Sequence, residues 1–215
     1  MKKAEVREIA HEQGLITADK KDSQGLCFVG KISLPDFLQQ QLQPKEGKII
    51  EIPASNIAPK DKLGDLDLNT TSFHFEESMG EVVGNHHGAH YFTIGQRKGL
   101  SVGGKEKPLF VIGTDVKSNL VYTGQGQQHP GLYRKGLRVA ENDIHWIRED
   151  LNMAPGEKRT YQVRIRYRQP LVNAELHYQK GKLYVIFEEA QRGVAAGQFV
   201  AWYDGEELIG SGVIA

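Results

Sequence analysis

Residues 174–187, with the sequence AELHYQKGKLYVIF, and residues 198–214, with the sequence QFVAWYDGEELIGSGVI, decide the fold class of this chain. Each stretch contains two short runs rich in β-branched and aromatic residues, which are typical of strands. Lys180-Gly181 and Asp204-Gly205 separate the runs, and Asp-Gly is the stronger turn signal because type I′ turns require positive φ at both central residues. The two stretches therefore predict hairpins.

The same strand signature recurs along most of the chain, where short apolar runs are bounded by Gly, Asn, Asp or Pro. Many short strands with tight turns indicate small barrels or rolls and not a parallel α/β sheet. We therefore predict a mainly β protein. The predicted strands are residues 48–52, 89–94, 109–115, 120–124, 160–167, 174–178, 182–187, 198–203 and 208–214.

Two segments carry a helical period instead. Residues 4–13 place apolar side chains on one side, and Gly14 follows as a helix stop. Residues 33–42 repeat apolar side chains at three- and four-residue spacing. There Ser33 can cap the helix, and Pro35 falls in its first turn, where a missing N–H costs little.

Two breaks in the pattern indicate how the chain is divided. Residues 53–88 are rich in Asp and Glu and have poor periodicity, which predicts an irregular acidic insertion or long loop. Around residues 140–155 the pattern breaks again before a fresh run of strands. We expect a short N-terminal part at 1–30, a central β-rich domain at 31–140 and a C-terminal β-barrel at 141–215.

Composition excludes several classes of protein. The 215 residues contain 27 Lys and Arg against 27 Asp and Glu, so the chain is not globally basic, although a local basic patch remains open. No stretch approaches the roughly 18 apolar residues of a membrane span, and no apolar segment follows the N-terminal lysines to form a secretory signal. A single cysteine excludes a disulfide framework and favours a reducing compartment.

That cysteine, Cys27, lies in the sequence KKDSQGLCFVG. A buried thiol that behaves as a small hydrophobe is the common fate of a free cysteine. A reactive thiol is the alternative, because the charges of Lys20 and Lys21 would favour the thiolate. No second cysteine is present to make a self-contained redox pair.

A basic run occupies residues 158–168, which hold five cations and no acid. Arg164, Arg166 and Arg168 alternate, so a regular strand would direct all three to one face and Tyr167 to the other. The run is either a solvated strand face or a phosphate-binding stripe, since arginine pairs well with phosphate oxygens.

Residues 93–108 combine four glycines with Arg97, Lys98 and two further lysines. This composition suits an anion-binding loop, but it lacks the residue order of a P-loop or a dinucleotide site, so a basic hairpin is equally open. The nearby His86, His87 and His90 favour a surface loop over a metal site, because no cysteine accompanies them. We predict no metal site.

Four separated blocks resemble the tRNA-specific 2-thiouridylase (tRNA-uridine 2-sulfurtransferase) family, in the same order and spacing. They are EVREIAHEQGLITADKKDSQGLCFVG (5–30), YFTIGQRKGLSVGG (91–104), RIRYRQP (164–170) and AAGQFVAWYDGEELIGSGVI (195–214). The resemblance does not extend to residues 53–84. It implies a C-terminal fragment without the PP-loop ATP-binding domain, ending in a translation-factor-like β-barrel and inactive alone.

The family resemblance also implies a chemistry. ATP, with Mg, would adenylate the C2 oxygen of the wobble uridine (position 34) in tRNAs for Lys, Glu and Gln, through the absent domain. A cysteine persulfide would then replace AMP with sulfur. The family motif DSxGxCF matches Asp22 to Phe28, which makes Cys27 the persulfide carrier. Sulfur would come from a cysteine desulfurase or a sulfur-relay protein in the cytoplasm, with no membrane involved.

By the same resemblance, Arg166, Tyr167 and Gln198 match tRNA contacts of the family. On a regular strand Arg166 and Tyr167 would diverge, so a bulge or twist is needed for both to touch RNA. On electrostatic grounds alone, we add four further candidates for tRNA binding: Arg164, Arg168, Arg97 and Lys98.

Two other functions compete with this one. The basic run over residues 158–168 also suits a non-catalytic RNA-binding module, for which the neutral overall charge predicts weak binding, no tighter than roughly micromolar. The acidic stretch 61–81 would suit an interaction scaffold that recruits a protein partner.

Overall fold

The computed structural model of the chain describes residues 3–19, 43–58 and 60–215. The chain divides into two compact units, Met1–Gln43 and Pro44–Ala215. Cys27 and the helix predicted at 33–42 lie outside the described residues.

The first unit contains helix α1, Lys3–Glu12, which confirms the predicted N-terminal helix. The helix ends at a left-handed residue, Gly14, with φ +64°. The N–H of Leu15 donates to the carbonyl of Ala10 at 2.9 Å, which satisfies a carbonyl of the last turn.

Four strands of the second unit form an open sheet. They are β1 (Gly47–Glu51), β2 (Glu81–His86), β3 (Leu109–Asp115) and β4 (Leu120–Gln125), in the order β2-β1-β4-β3. Strands β1 and β4 run parallel, and the other pairs are antiparallel. Both faces of the sheet are covered: Ile50, Ile112 and Tyr122 pack in one apolar cluster, and Ile49, Val111 and Val121 in another.

Six strands close into an antiparallel barrel in the order β10-β5-β8-β7-β6-β9. The mainly β class and the C-terminal barrel are thus confirmed. The strands are β5 (Tyr133–Trp146), β6 (Lys158–Arg164), β7 (Val172–Gln179), β8 (Lys182–Arg192), β9 (Phe199–Asp204) and β10 (Glu207–Ile214).

Trp202 lies in the barrel core with no exposed surface, and its ring meets that of Trp146 edge-on at a centroid distance of 5.1 Å. The alternate positions Val200 and Trp202 point inward on β9, as the period of two requires. Gly210 faces Trp202 across the β9–β10 ladder, and a Cβ there would overlap the indole ring. The glycine therefore makes room for the largest core side chain.

Strand β5 runs through the domain boundary that the sequence suggested at residues 140 and 141. Its first part, to Ala140, pairs with β8, and its later part, from Val139, pairs with β10. The break in the sequence pattern thus coincides with a change of partner within one strand. The first strand of the barrel begins at Tyr133.

The prediction of an irregular segment at 53–88 is wrong for two of its parts. Helix α2, Leu66–Thr70, is capped by Asp65, whose carboxylate accepts the N–H of Leu68 at 3.0 Å. With 5 residues the helix is too short to show a period in the sequence. Strand β2, Glu81–His86, forms because β1 pairs with it, which is a non-local contact.

The strand predicted at 89–94 is also wrong, because this segment begins with a 3₁₀ turn, Ala89–Tyr91. Gly88 precedes it with φ +146°, and the N–H of Ala89 donates to Oδ1 of Asn119 at 2.9 Å. The N–H of Ala89 thus donates to a side chain distant in sequence and not to a neighbouring strand.

The described ranges hold no candidate for a membrane-spanning helix; α1 has 10 residues and α2 has 5.

Replacing Trp202 with alanine should destabilise the barrel by about 3–5 kcal/mol, because it removes a fully buried indole and leaves a cavity. Urea unfolding of the chain measures this loss. Phe199→Ala is the matched control: Phe199 is on the same strand but 63% exposed, so its loss should cost well under about 1 kcal/mol. Equal losses in the two variants would contradict the core assignment.

Candidate nucleic-acid interface

Strand β6 ends at Arg164, and the basic run continues into a turn. The N–H of Gln169 donates to the carbonyl of Arg166 at 3.0 Å, which closes a turn over residues 166–169. The pair of the β6–β7 ladder nearest to this turn is Val163 and Val172. The prediction of one strand from 160 to 167, with three arginines on one face, is therefore wrong, since alternation stops where the ladder does.

Because of this turn, Arg166 and Tyr167 do not lie on opposite faces of one regular strand. The side chain of Tyr167 is 89% exposed, and the guanidinium of Arg164 donates to the carbonyl of Tyr167 at 3.2 Å. Both Arg166 and Arg168 are also exposed. A turn, and not a bulge within the strand, thus presents the aromatic ring and the arginines together.

Arg166 is held at the start of the loop 193–198. Its Nη2 donates to the carbonyl of Gly193 at 3.0 Å. Gly193 has φ +70°, and a Cβ at this position would overlap the guanidinium of Arg166. Glycine is therefore required both by the backbone conformation and by the close approach of the arginine.

Gln198 stands at the other end of that loop, directly before β9. Its carbonyl accepts the N–H of Ile214 at 2.8 Å. Its side-chain Oε1 is buried and has no hydrogen-bond partner within the described part of the chain. The amide oxygen is thus a buried acceptor that no described side chain or backbone group satisfies.

Two aromatic residues of β9 belong to this surface and were missed from the sequence. Arg164 pairs with Ala201 across the β6–β9 ladder, and its guanidinium lies over the ring of Tyr203, 4.7 Å from the centroid. Phe199 projects to the same outer side and is largely exposed. The alternation in QFVAWYD could have found both, because Phe199, Ala201 and Tyr203 share one face of the strand.

We call this surface the barrel face. It carries positive charge without acidic partners: among the residues that the structure describes, none of its arginines lies within salt-bridge distance of a carboxylate. A surface of exposed aromatic rings and unpaired guanidinium groups suits stacked bases and phosphate oxygens. Its members are Arg164, Arg166, Tyr167, Arg168, Gln198, Phe199 and Tyr203.

Arg97 and Lys98 do not belong to the barrel face. They are exposed on the glycine-rich loop that packs beside the sheet. This loop is pinned by its backbone, since the N–H of Gly95 donates to the carbonyl of Val111 at 2.7 Å and Val111 donates back to Gln96 at 2.9 Å. Their charges therefore lie on the sheet part of the unit.

The histidine segment differs from the predicted surface loop, because His86 is buried at the end of β2. Its Nδ1 accepts the N–H of Gly88 at 2.9 Å. Burial is the main reason that the pKa of His86 is lowered, which favours the neutral ring. Within residues 3–19, 43–58 and 60–215, no group of three metal-ligating side chains is found.

Three family models match the chain in order. The tRNA methyl transferase HUP domain matches residues 1–31, the tRNA methyl transferase PRC-barrel domain residues 69–125, and the aminomethyltransferase beta-barrel domain residues 134–214. The last match begins beside the first residue of β5.

Similar curated proteins are each named tRNA-specific 2-thiouridylase MnmA. The protein of Christiangramia forsetii is 54% identical over 222 residues, covering 100% of this chain and 56% of the relative. That of Flavobacterium johnsoniae is 53% identical over 220 residues, covering 99% and 56%. That of Halalkalibacterium halodurans is 39% identical over 215 residues, covering 100% and 50%. The chain thus spans about half the length of the curated relatives it matches.

Gly193→Ala should cost about 1–2 kcal/mol of stability, because alanine is strained at positive φ, and it should also displace the guanidinium of Arg166. Gly197→Ala separates the two effects, since Gly197 has φ +80° but open space around its Cβ position. Urea unfolding should show similar losses for both variants. The Nε–H NMR signal of Arg166 should shift only in Gly193→Ala; equal shifts would show that the loop does not position Arg166.

Proposed function

Since the chain belongs to the tRNA-specific 2-thiouridylase family, we propose that it serves the thiolation of C2 of the wobble uridine, position 34, in tRNA. The chain supplies two parts of that reaction: the cysteine that carries sulfur and a surface that holds the tRNA. The observation that carries the structural part of this proposal is the barrel face, with its exposed rings and with arginines that have no carboxylate partner among the described residues.

The barrel face binds tRNA through two kinds of contact. Arg166 and Arg168 are exposed, so their guanidinium groups can pair with phosphate oxygens and release counterions. Tyr167 and Phe199 offer aromatic rings on which an unpaired base can stack, a contact worth about 1–3 kcal/mol per base. The side-chain amide of Gln198, whose buried Oε1 has no partner among the described residues, must turn outward to add a hydrogen bond to RNA.

In this proposal Cys27 carries the sulfur as a persulfide. This assignment rests on the motif Asp22 to Phe28 and not on the described structure. ATP, with Mg, activates the uridine by transfer of AMP to its C2 oxygen, with loss of pyrophosphate. We assign ATP binding to the portion of the longer relatives that this chain does not match.

The bonds that form and break during sulfur transfer can be written out with Cys27 as the carrier. The terminal sulfur of the Cys27 persulfide attacks C2, and AMP departs with the oxygen. The S–S bond must then break, which requires attack by a thiolate on the sulfur of Cys27. Because the chain contains a single cysteine, that thiolate comes from outside these 215 residues, and the product is a disulfide to Cys27 that a reductant must open.

The partners follow from this chemistry. A cysteine desulfurase or a sulfur-relay protein loads Cys27, and the tRNAs for Lys, Glu and Gln accept the sulfur in the cytoplasm. On this proposal the 215 residues alone bind tRNA and carry sulfur but do not thiolate uridine, since adenylation is assigned elsewhere.

A non-catalytic RNA-binding module is the second candidate. It is favoured by the barrel face itself, whose residues all lie within the barrel and need nothing from Cys27. Sulfur loading separates the two candidates, because a binding module alone has no reason to accept sulfur.

Tyr167→Ala and Phe199→Ala should each weaken tRNA binding by about 1–3 kcal/mol, or roughly 5- to 150-fold in Kd, if each ring stacks on a base. Fluorescence anisotropy with unmodified tRNA for Lys measures the change. Tyr167→Phe is the control, since it keeps the ring and should bind as the wild type does. Tyr178→Ala, elsewhere on the barrel, should have no effect; unchanged binding by all variants would exclude the barrel face.

Incubation of the chain with a cysteine desulfurase and cysteine should add one sulfur atom, detected by intact mass spectrometry. The addition should disappear in Cys27→Ser and on treatment with dithiothreitol, which reduces persulfides. A chimera that joins the N-terminal part of the Christiangramia forsetii relative to this chain should thiolate tRNA, and Cys27→Ser should abolish this while leaving Kd for tRNA unchanged. Thiolation by the serine variant would remove Cys27 from the mechanism.

A further inference from the structure

A second cationic site lies where the sheet part of the unit meets the barrel. A cavity of about 170 Å³ opens between the segment after β1 and the start of β5. Lys60, Arg134 and Lys135 all contribute to its wall, together with the polar residues Asn69 and Thr71. None of these residues belongs to the barrel face.

The hydrogen bonds of the three cations go to backbone carbonyls, and Lys60 Nζ also lies over the ring of Phe73, 5.3 Å from its centroid. Arg134 Nη2 donates to Thr70, Lys60 Nζ donates to Ser72 at 2.7 Å, and Lys135 Nζ donates to Glu188 at 3.0 Å. Within the described part of the chain, none of the three lies within 4 Å of a carboxylate oxygen.

One acid, Asp61, also lines the cavity. It is exposed to solvent and forms no salt bridge with the three cations among the residues described. The cavity therefore holds more positive than negative charge, by three groups to one.

Arg134 is the most deeply buried of the three cations, because only 8% of its surface is exposed. Its Nε is buried with no hydrogen-bond partner in the described ranges. Burial, followed by the charge of Arg138, lowers the pKa of Arg134 to about 10, so the side chain stays protonated at neutral pH. A buried charge without a counter-ion is costly, and buried charges are normally paired.

Lys60 adds to this cost. Burial and the nearby charge of Arg134 both lower its pKa. Both cations line a cavity large enough for a tetrahedral anion and a few waters, since a water occupies about 30 Å³ in the liquid. An anion in the cavity would satisfy both.

We propose that this cavity binds a phosphate group, held by Arg134, Lys60 and Lys135. Guanidinium and ammonium groups form short, charge-assisted hydrogen bonds to phosphate oxygens, and Arg134 Nε is a donor without a partner among the described residues. The phosphate comes either from an RNA backbone or from a free phosphate-bearing molecule, since both present the same oxygens.

The position of the cavity favours the RNA backbone. Arg134 pairs with Gln191 in the β5–β8 ladder, and the side chain of Gln191 accepts a hydrogen bond from Gln169 Nε2 at 2.8 Å. Gln169 closes the arginine turn of the barrel face. The cavity and the barrel face are thus joined by two successive contacts, and one RNA chain could meet both. This arm of the proposal rests on the proposed tRNA binding.

Arg134→Gln tests the site most directly, but Arg134 also links to α2 through Thr70, so its loss can disturb folding. The double variant Lys60→Gln/Lys135→Gln avoids this. Its matched control is Lys48→Gln/Lys180→Gln, which removes the same charge from exposed positions whose ion pairs contribute little.

The first measurement is thermal unfolding in inorganic phosphate against chloride at equal ionic strength. An anion that binds only the folded state should raise the Tm of the wild type by roughly 3–6 °C at ten times its Kd. The control variant should keep this rise, and Lys60→Gln/Lys135→Gln should lose it.

The second measurement is tRNA binding at several salt concentrations. Loss of one or two phosphate contacts should lower the slope of log Kd against log salt by about 1–2 in Lys60→Gln/Lys135→Gln but not in the control. A lower slope assigns the site to RNA; an unchanged slope with loss of the phosphate effect assigns it to a free phosphate compound.

If the double variant shows neither the loss of the phosphate effect on Tm nor the lower salt slope, the proposal is overturned. A wild-type chain that fails to bind tRNA at all would refute the proposed function, and the thermal measurement alone would then decide whether the cavity takes phosphate.

Discussion

Strand β5 hydrogen-bonds to β8 through its first part and to β10 through its later part, and the barrel closes because one strand serves both neighbours. Closure leaves no edge strand in the barrel and fixes which side chains point inward. Trp202 fills the interior from β9, and Gly210 leaves space for it. The outer positions of β9 are then free to carry aromatic rings to the surface without loss of core packing.

The barrel face depends on this closure in a second way. Strands β6 and β9 are distant in sequence but neighbours in the barrel, which places Arg164 over Tyr203. The end of the β6 ladder at Val163 releases the following residues into a turn, so Arg166 and Tyr167 reach solvent together. A longer regular strand would have sent them to opposite faces.

Charge in this chain is balanced in total but separated in space. The 27 basic and 27 acidic residues cancel, yet neither the barrel face nor the cavity around Arg134 has a carboxylate bonded to its arginines among the described residues. Two other arginines are paired: Arg148 with Asp150 and Glu207, and Arg159 with Glu157. On the proposed function, the arginines of these two places would pair with the phosphates of an anionic polymer.

The sequence by itself determined the strands whose turns and alternation are local, such as the hairpin at Asp204-Gly205, and through its motif blocks it indicated the family and the residues Arg166, Tyr167 and Gln198. Only the tertiary structure decided where β6 ends and that β2 forms at all. It also decided that Arg134 is buried and has no carboxylate partner within the described ranges. The physical reason is range: a turn dipeptide acts on its own neighbours, whereas a ladder, a barrel closure and a shared cavity depend on residues far apart in the chain.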